Sequence, residues 1–138
     1  VRTVTRATYD ALQHCDVSVV ASGTATIEAA LRERPIVVVY RVSALTWMIG
    51  KFLVAVPFYC MVNILAKKAI VPELIQNDFT AHDLAAKVEY LLDHPEAREE
   101  MVQNLRALKP RLGPGGAIPR AAKAVVEVLR ATETAVIT

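Results

Sequence analysis

Val17-Ser18-Val19-Val20-Ala21-Ser22-Gly23-Thr24-Ala25-Thr26-Ile27-Glu28 is the stretch on which the reading of this chain turns. A β-branched apolar run meets Ser-Gly-Thr, and from there the apolar residues fall at helical spacing, with Ile27, Ala30 and Leu31 on one face. The pattern predicts a buried strand turning sharply into a helix. In α/β proteins that junction is a natural anion site. Unpaired backbone N–H groups point out of the new helix, the helix dipole adds positive potential, and Gly23 lets a ligand approach the main chain. Glu28 stands one turn further in, about 6 Å along the axis by helix rise, where its carboxylate would accept from ribose hydroxyls. Taken alone, the stretch fits equally well a plain helix start capped by Ser22, with Glu28 in water.

The next run, Ile36 to Tyr40, is continuously apolar and β-branched, as in a strand covered on both faces. The helix between the two runs is expected from Thr24 or Ala25 to about Glu33, where Arg34-Pro35 stops it. Two such strands joined by a helix make a βαβ unit with parallel strands, and ligands of such sheets sit at the carboxyl ends. Arg41 follows the second strand directly, so its guanidinium is expected to reach an anion at Ser22-Gly23-Thr24, or else to pair with a surface carboxylate.

The chain has 138 residues, 54% of them hydrophobic and 22% charged, which describes one packed globular unit and excludes disorder. Because it opens on Val1 with an element already under way, the sequence reads as a piece of a longer protein. Residues 1 to 69 hold eight Lys and Arg against four Asp and Glu, a balance of +4; residues 70 to 138 hold eight against ten, a balance of −2. The basic half carries the turn. A phosphorylated ligand or an acidic membrane surface suits this better than nucleic acid, for which a dense basic stripe with interleaved aromatics is missing. Cys15 and Cys60 are isolated in apolar surroundings and read as unpaired buried thiols of a reducing compartment. His14, His82 and His94 are scattered near helix ends without metal-ligand spacing, which points to capping or surface roles. No signal peptide is visible at the start of the sequence as given.

Leu45 to Val62, LTWMIGKFLVAVPFYCMV, is eighteen residues long with one charge. Gly50, Lys51 and Pro57 interrupt it, so a membrane span is rejected; its first part reads as helix and Phe58 to Val62 as another short strand. It is either an apolar helix in the core or a basic, hydrophobic face, with Trp47, Met48, Lys51, Phe52 and Leu53, that touches lipid. Asn63 would then follow a third strand end, suited to read a uracil edge, a sugar or a backbone group. Pro72 is expected near the first turn of a short helix on which Glu73 and Gln76, three apart, share a face toward the same ligand. Thr80 caps a helix from Ala81 to about Leu92, and Pro95 opens another that ends near Lys109-Pro110. The Gly113-Pro114-Gly115-Gly116 loop, which follows a helix and lacks nucleotide-fingerprint spacing, is a connector. A last helix runs from Ala117 to about Ala131 with Ile118, Ala121, Ala122, Val125 and Leu129 on its apolar side, and residues 132–138 form a frayed tail.

Four motifs in order resemble the C-terminal domain of the lipid-A-disaccharide synthase family. They are Ala21-Ser22-Gly23-Thr24-Ala25-Thr26-Ile27-Glu28-Ala29-Ala30, Pro35-Ile36-Val37-Val38-Val39-Tyr40-Arg41-Val42-Ser43, Val62-Asn63-Ile64-Leu65-Ala66 and Val71-Pro72-Glu73-Leu74-Ile75-Gln76. The resemblance covers nearly the whole chain. It implies an α/β fold, a Rossmann-like parallel sheet flanked by helices that forms the C-terminal half of a GT-B glycosyltransferase. Residues 1–131 would be the UDP-sugar-binding domain.

The implied reaction transfers 2,3-diacylglucosamine from its UDP derivative to 2,3-diacylglucosamine 1-phosphate, with inversion, to give the β-1,6-linked disaccharide of lipid A. It implies no metal or other cofactor, and a catalytic base on an N-terminal domain. By the same resemblance Ser22, Gly23, Thr24 and Arg41 hold the diphosphate, Glu28 takes the ribose, and Asn63, Glu73 and Gln76 line the nucleotide and donor-sugar side. Lys67-Lys68 stands where the family has Gly-Arg, so a bidentate contact there becomes a point-charge one from Lys68. The acylated substrates give the Leu45 to Phe58 segment a purpose at the cytoplasmic face of the bacterial inner membrane. The last helices would pack on the N-terminal domain or on a second copy in a homodimer. The alternatives are another GT-B transferase or a UDP-sugar epimerase, or a non-enzymatic module that docks on membrane or a partner.

Overall fold

The computed structural model describes residues 3–43, 46–48, 57–113 and 115–136. Helix α1 (Thr8–His14) leads into strand β1 (Ser18–Ala21); the turn then opens helix α2 (Thr24–Leu31), followed by strand β2 (Ile36–Tyr40). Helix α3 (Met61–Ala66) and strand β3 (Glu73–Ile75) come next, with a 3₁₀ turn at Gln76–Asp78. Helices α4 (Ala81–Asp93), α5 (Pro95–Leu108) and α6 (Ala117–Val136) complete the described chain.

Among the described residues the sheet has 3 strands in the order β1-β2-β3. All are parallel: Ser18 pairs with Ile36 and Ala21 with Val39, while Val38 pairs with Glu73 and Tyr40 with Ile75. β2 is therefore central, and Ile36, Val37 and Val38 are fully buried, as its unbroken β-branched run requires. Val20, Ala29, Ala30, Val62, Val71, Leu74, Leu91 and Leu105 join them in one core. α2 packs on β1, β2, α3 and α5, and α4 packs on β2 and α5. Because the strands are parallel, their carboxyl ends gather on one rim, where Ser22, Arg41 and Gln76 follow β1, β2 and β3.

The strand expected at Phe58 to Val62 is absent: Met61 already belongs to α3. Cys60 is the N-cap, its Sγ accepting from the Asn63 amide at 3.4 Å. Conversely, the helix expected around Pro72 is a strand, because Val38 N–H donates to Pro72 O at 2.9 Å and draws the segment onto β2. This tertiary pairing overrides the helix-opening signal of the proline. Thr80 caps α4 as expected, its Oγ1 accepting from Asp83 N–H at 3.0 Å. The ring nitrogens of His14 and His94 pair with the carbonyls of Asp10 and Tyr90, in keeping with helix-end roles.

Both cysteines are free, Cys15 half-buried and Cys60 buried. The last helix extends to Val136, and its expected apolar side is open, with Ile118 at 85% exposure. Among the described residues no helix is long and apolar enough to cross a membrane. Lys51, Phe52 and Leu53 of the expected lipid-facing segment lie outside the described residues. Trp47 is half-buried against Tyr59, their ring centroids 5.4 Å apart, and Met48 is exposed.

Candidate functional site

The β1–α2 turn is built so that its main chain faces outward. Ser22 N–H donates to Val39 O at 2.9 Å, carrying the β1–β2 ladder one step past the strand. Gly23 then adopts φ 155 and ψ −163, a region that only glycine occupies at low cost. Its carbonyl turns inward, where it accepts from Thr26 Oγ1 at 2.6 Å and from Thr26 N–H at 3.2 Å. Thr26 is fully buried by this arrangement. With the carbonyl fixed, the amides of Gly23, Thr24 and Ala25 have no protein partner among the described residues. They sit at the N-terminus of α2, where the dipole is positive. A Cβ built on Gly23 would meet nothing within 4 Å, and Gly23, Thr24 and Ala25 are all exposed. Thr24 is exposed and Glu28 half-buried, and Glu28 has neither hydrogen bond nor ion pair among the described residues.

The N-cap of α2 is Gly23, and the Ser22 side chain neither caps the helix nor is free. Its O–H is donated to Tyr59 O at 3.0 Å, which straps the loop before α3 onto the turn. Only oxygen lone pairs remain for anything else, and these repel an anion. The donors that the turn leaves unpaired among the described residues thus include the backbone N–H groups of Gly23, Thr24 and Ala25.

Arg41 is on the rim, yet it leans toward β3. Its Nη2 donates to Gln76 O at 3.1 Å and also to Phe79 O, and its guanidinium stacks 5.2 Å over the Phe79 ring. Gln76 takes a left-handed φ of 54. Its side chain imitates a strand: Oε1 accepts from Val42 N–H at 2.7 Å and Nε2 donates to Val42 O at 3.2 Å, extending the β2–β3 pairing past its last backbone rung. Nε and Nη1 of Arg41 are without partners among the described residues.

Asn63, in the interior, and Glu73, half-buried, are brought together. Asn63 is 1% exposed. Its Nδ2 donates to Val71 O at 2.9 Å and to Glu73 Oε1 at 2.7 Å, and its Oδ1 accepts from the amides of Ile70 and Val71 at 2.9 and 3.0 Å. Every hydrogen-bonding position of the amide is filled. Glu73 Oε2 accepts from Tyr59 N–H at 2.8 Å, and Oε1 accepts from Cys60 N–H at 3.2 Å. Glu73 and Gln76 therefore point to different loops and do not share a helix face. Burial beside this carboxylate pushes the Cys60 thiol up to about 12.

Lys67 and Lys68 precede β3 and so lie at the amino end of the sheet, away from the turn. Lys67 ends α3 with φ 55 in the left-handed region, the position at which the resemblance puts glycine. Lys68, with Ile70, Lys87, Tyr90 and Met101, lines a separate cavity of about 300 Å³. Among the described residues no group of His, Cys, Asp and Glu has the geometry of a metal site. The residues that sequence reasoning missed are Tyr59 and Cys60, whose main-chain groups link Glu73 to Ser22. Backbone contacts leave no compositional trace, so no signal in the sequence marks them.

A parallel sheet flanked by helices, with open amides at the carboxyl end of its first strand, defines a Rossmann-like domain of the kind that forms half of a GT-B glycosyltransferase. The comparisons narrow the class. The family model described as lipid-A-disaccharide synthetase matches residues 1–113, and the chain belongs to that family. It is 44% identical over 135 residues to the lipid-A-disaccharide synthase of Solibacter usitatus, covering 97% of this chain and 35% of that protein. It is 46% identical over 114 residues to the synthase of Myxococcus xanthus, covering 83% and 30%, and 40% identical over 133 residues to that of Syntrophus aciditrophicus, covering 96% and 35%. The chain spans about a third of the length of these curated relatives.

Proposed function

We propose that this chain is the donor-binding half of a lipid-A-disaccharide synthase and seats UDP-2,3-diacylglucosamine. The observation that carries the reading is the row of open amides at Gly23, Thr24 and Ala25, where a diphosphate finds both hydrogen-bond donors and the positive end of α2. Glu28, whose carboxylate has no partner among the described residues and which stands about 6 Å further along the helix axis, accepts from the ribose hydroxyls. Arg41 closes on the diphosphate from β2 with the guanidinium edge it has left, while Asn63, Glu73 and Gln76 shape the nucleotide and sugar side from beneath. The 6-hydroxyl of 2,3-diacylglucosamine 1-phosphate attacks the anomeric carbon of the donor with inversion. The bond to UDP breaks, and the charge that collects on the leaving diphosphate meets amides already aimed at it.

The base that takes the hydroxyl proton belongs to the N-terminal domain. Acylated substrates place the enzyme at the cytoplasmic face of the inner membrane, with Tyr59, whose carbonyl meets the turn, the Trp47 ring packed on it and the exposed Met48 as the apolar approach. Isothermal titration of UDP into the full-length protein tests the site. Glu28→Ala should weaken binding about tenfold, the loss of one charge-assisted hydrogen-bond set, without a change in melting temperature. UDP that does not bind, or that binds Glu28→Ala as tightly as wild type, would end this reading.

A further inference from the structure

Glu73 makes no contact that requires a ligand, yet it stands at one end of a chain of hydrogen bonds that finishes in the proposed phosphate seat. Its Oε2 holds Tyr59 N–H and its Oε1 holds Cys60 N–H and Asn63 Nδ2. Carboxylate acceptors shared by several N–H donors form the strong, charge-assisted class of hydrogen bond. The peptide at Tyr59 is thereby fixed from its nitrogen side, and the carbonyl of the same residue receives the Ser22 hydroxyl at 3.0 Å. Ser22 in turn immediately precedes Gly23, whose unusual backbone aims the open amides.

We propose that Glu73 is a positioning residue of the turn: through the Tyr59 and Cys60 backbone it sets the Ser22-Gly23-Thr24 main chain that receives the diphosphate. The ligand part of this statement rests on the function proposed above; the mechanical part does not. Asn63, fully occupied by Ile70, Val71 and Glu73, keeps the carboxylate from swinging away, since its Nδ2 and the Cys60 amide grip the same oxygen. A glutamine at position 73 retains one acceptor oxygen and replaces the other by an NH₂ donor. It therefore cannot accept from Tyr59 and from the Cys60–Asn63 pair together.

The test uses the full-length protein and two variants, Glu73→Gln and Ser22→Ala, with amide hydrogen exchange and UDP titration on each. Glu73→Gln should raise exchange at Tyr59 and Cys60 and also across residues 22–26, where the bonded amides of Ser22 and Thr26 are the reporters, and weaken UDP binding about tenfold. Ser22→Ala cuts the chain at its far end, so it should raise exchange across 22–26 alone. In the Glu73→Gln background Ser22→Ala should add little to the loss of UDP affinity, because both act through one path. Unchanged exchange across 22–26 in Glu73→Gln overturns the proposal, as does full additivity of the two losses. If Glu73→Gln does not fold, Ser22→Ala decides: unchanged exchange across 22–26 overturns it and a rise confined there upholds it. Wild-type protein that ignores UDP, with the exchange response intact, removes the nucleotide reading and leaves Glu73 as the residue that orders the turn.

Discussion

The ends of β1 and β3 carry the same kind of chemistry, short polar residues after an apolar strand, and use it in opposite ways. At β3, the polar side chains of Glu73, its first residue, and of Gln76, just past its end, are bound to main-chain groups of neighbouring loops. After β1, the Gly23 carbonyl is satisfied by Thr26 while the adjoining amides are left open. Polar residues at a strand end therefore do not mark a binding group by themselves. The informative quantity is the hydrogen-bonding capacity that remains once the protein has satisfied its own.

Asn63→Ala should give the largest effect. It strips partners from Val71 O and from the Ile70 and Val71 amides in a buried site, for an expected loss of about 3 kcal/mol or more in chemical denaturation. If stability holds and only UDP affinity falls, Asn63 belongs with the open group and the contrast fails. Gly23→Ala comes next. No atom stands in the way of its Cβ, so the cost is conformational, about 1–3 kcal/mol. It should also cut UDP affinity at least tenfold as the amides swing out of line; a variant that binds UDP normally removes the turn from the site.

Lys67→Gly acts at the far end of the sheet. Relief of a left-handed lysine should raise stability by about 0.5–1 kcal/mol, and UDP affinity should stay unchanged. A change in affinity would tie the amino-end loop to the site. The smallest effect concerns Glu33, which bridges Lys109 at 2.7 Å and Arg106 at 3.0 Å. Hydrogen bonds from Lys109 and then Arg106 hold its carboxyl below the ordinary value of 4.5. A depressed carboxyl contributes stability that is present above its unfolded value and lost as pH falls through the folded one. The melting-temperature gap between wild type and Glu33→Gln should therefore be open at neutral pH and close below about pH 4.5. A gap that persists into acid excludes the bridge as its source.

β1, β2 and the turn between them were legible because their signals are local: an unbroken β-branched run buries on both faces, and Ser-Gly-Thr ends it. Thr80 was legible for the same reason. The segment from Phe58 to Val62 reads as a strand because aromatic and β-branched residues dominate it. What makes it a loop and helix is Glu73, a partner outside the segment that takes the amides before α3. Val71 to Gln76 was misread in the opposite sense, since Pro72 and the Glu-to-Gln spacing satisfy a helix start while pairing with Val38 to Tyr40 decides for strand. The direction of Arg41 was not legible either, because it follows the carbonyls of Gln76 and Phe79, which reach it only after β3 docks.

The inward-facing hydroxyl of Ser22 has a consequence for how this surface would register in a mutational screen. A surface that presents peptide nitrogens is nearly silent to truncation of the side chains beside them, so an alanine at Thr24 would score as tolerated however much binding passes through its amide. Proline is the substitution that reads it. At Thr24, the first residue of α2, proline suits the helix backbone and removes one N–H, which turns a main-chain contribution into something a genetic experiment can count.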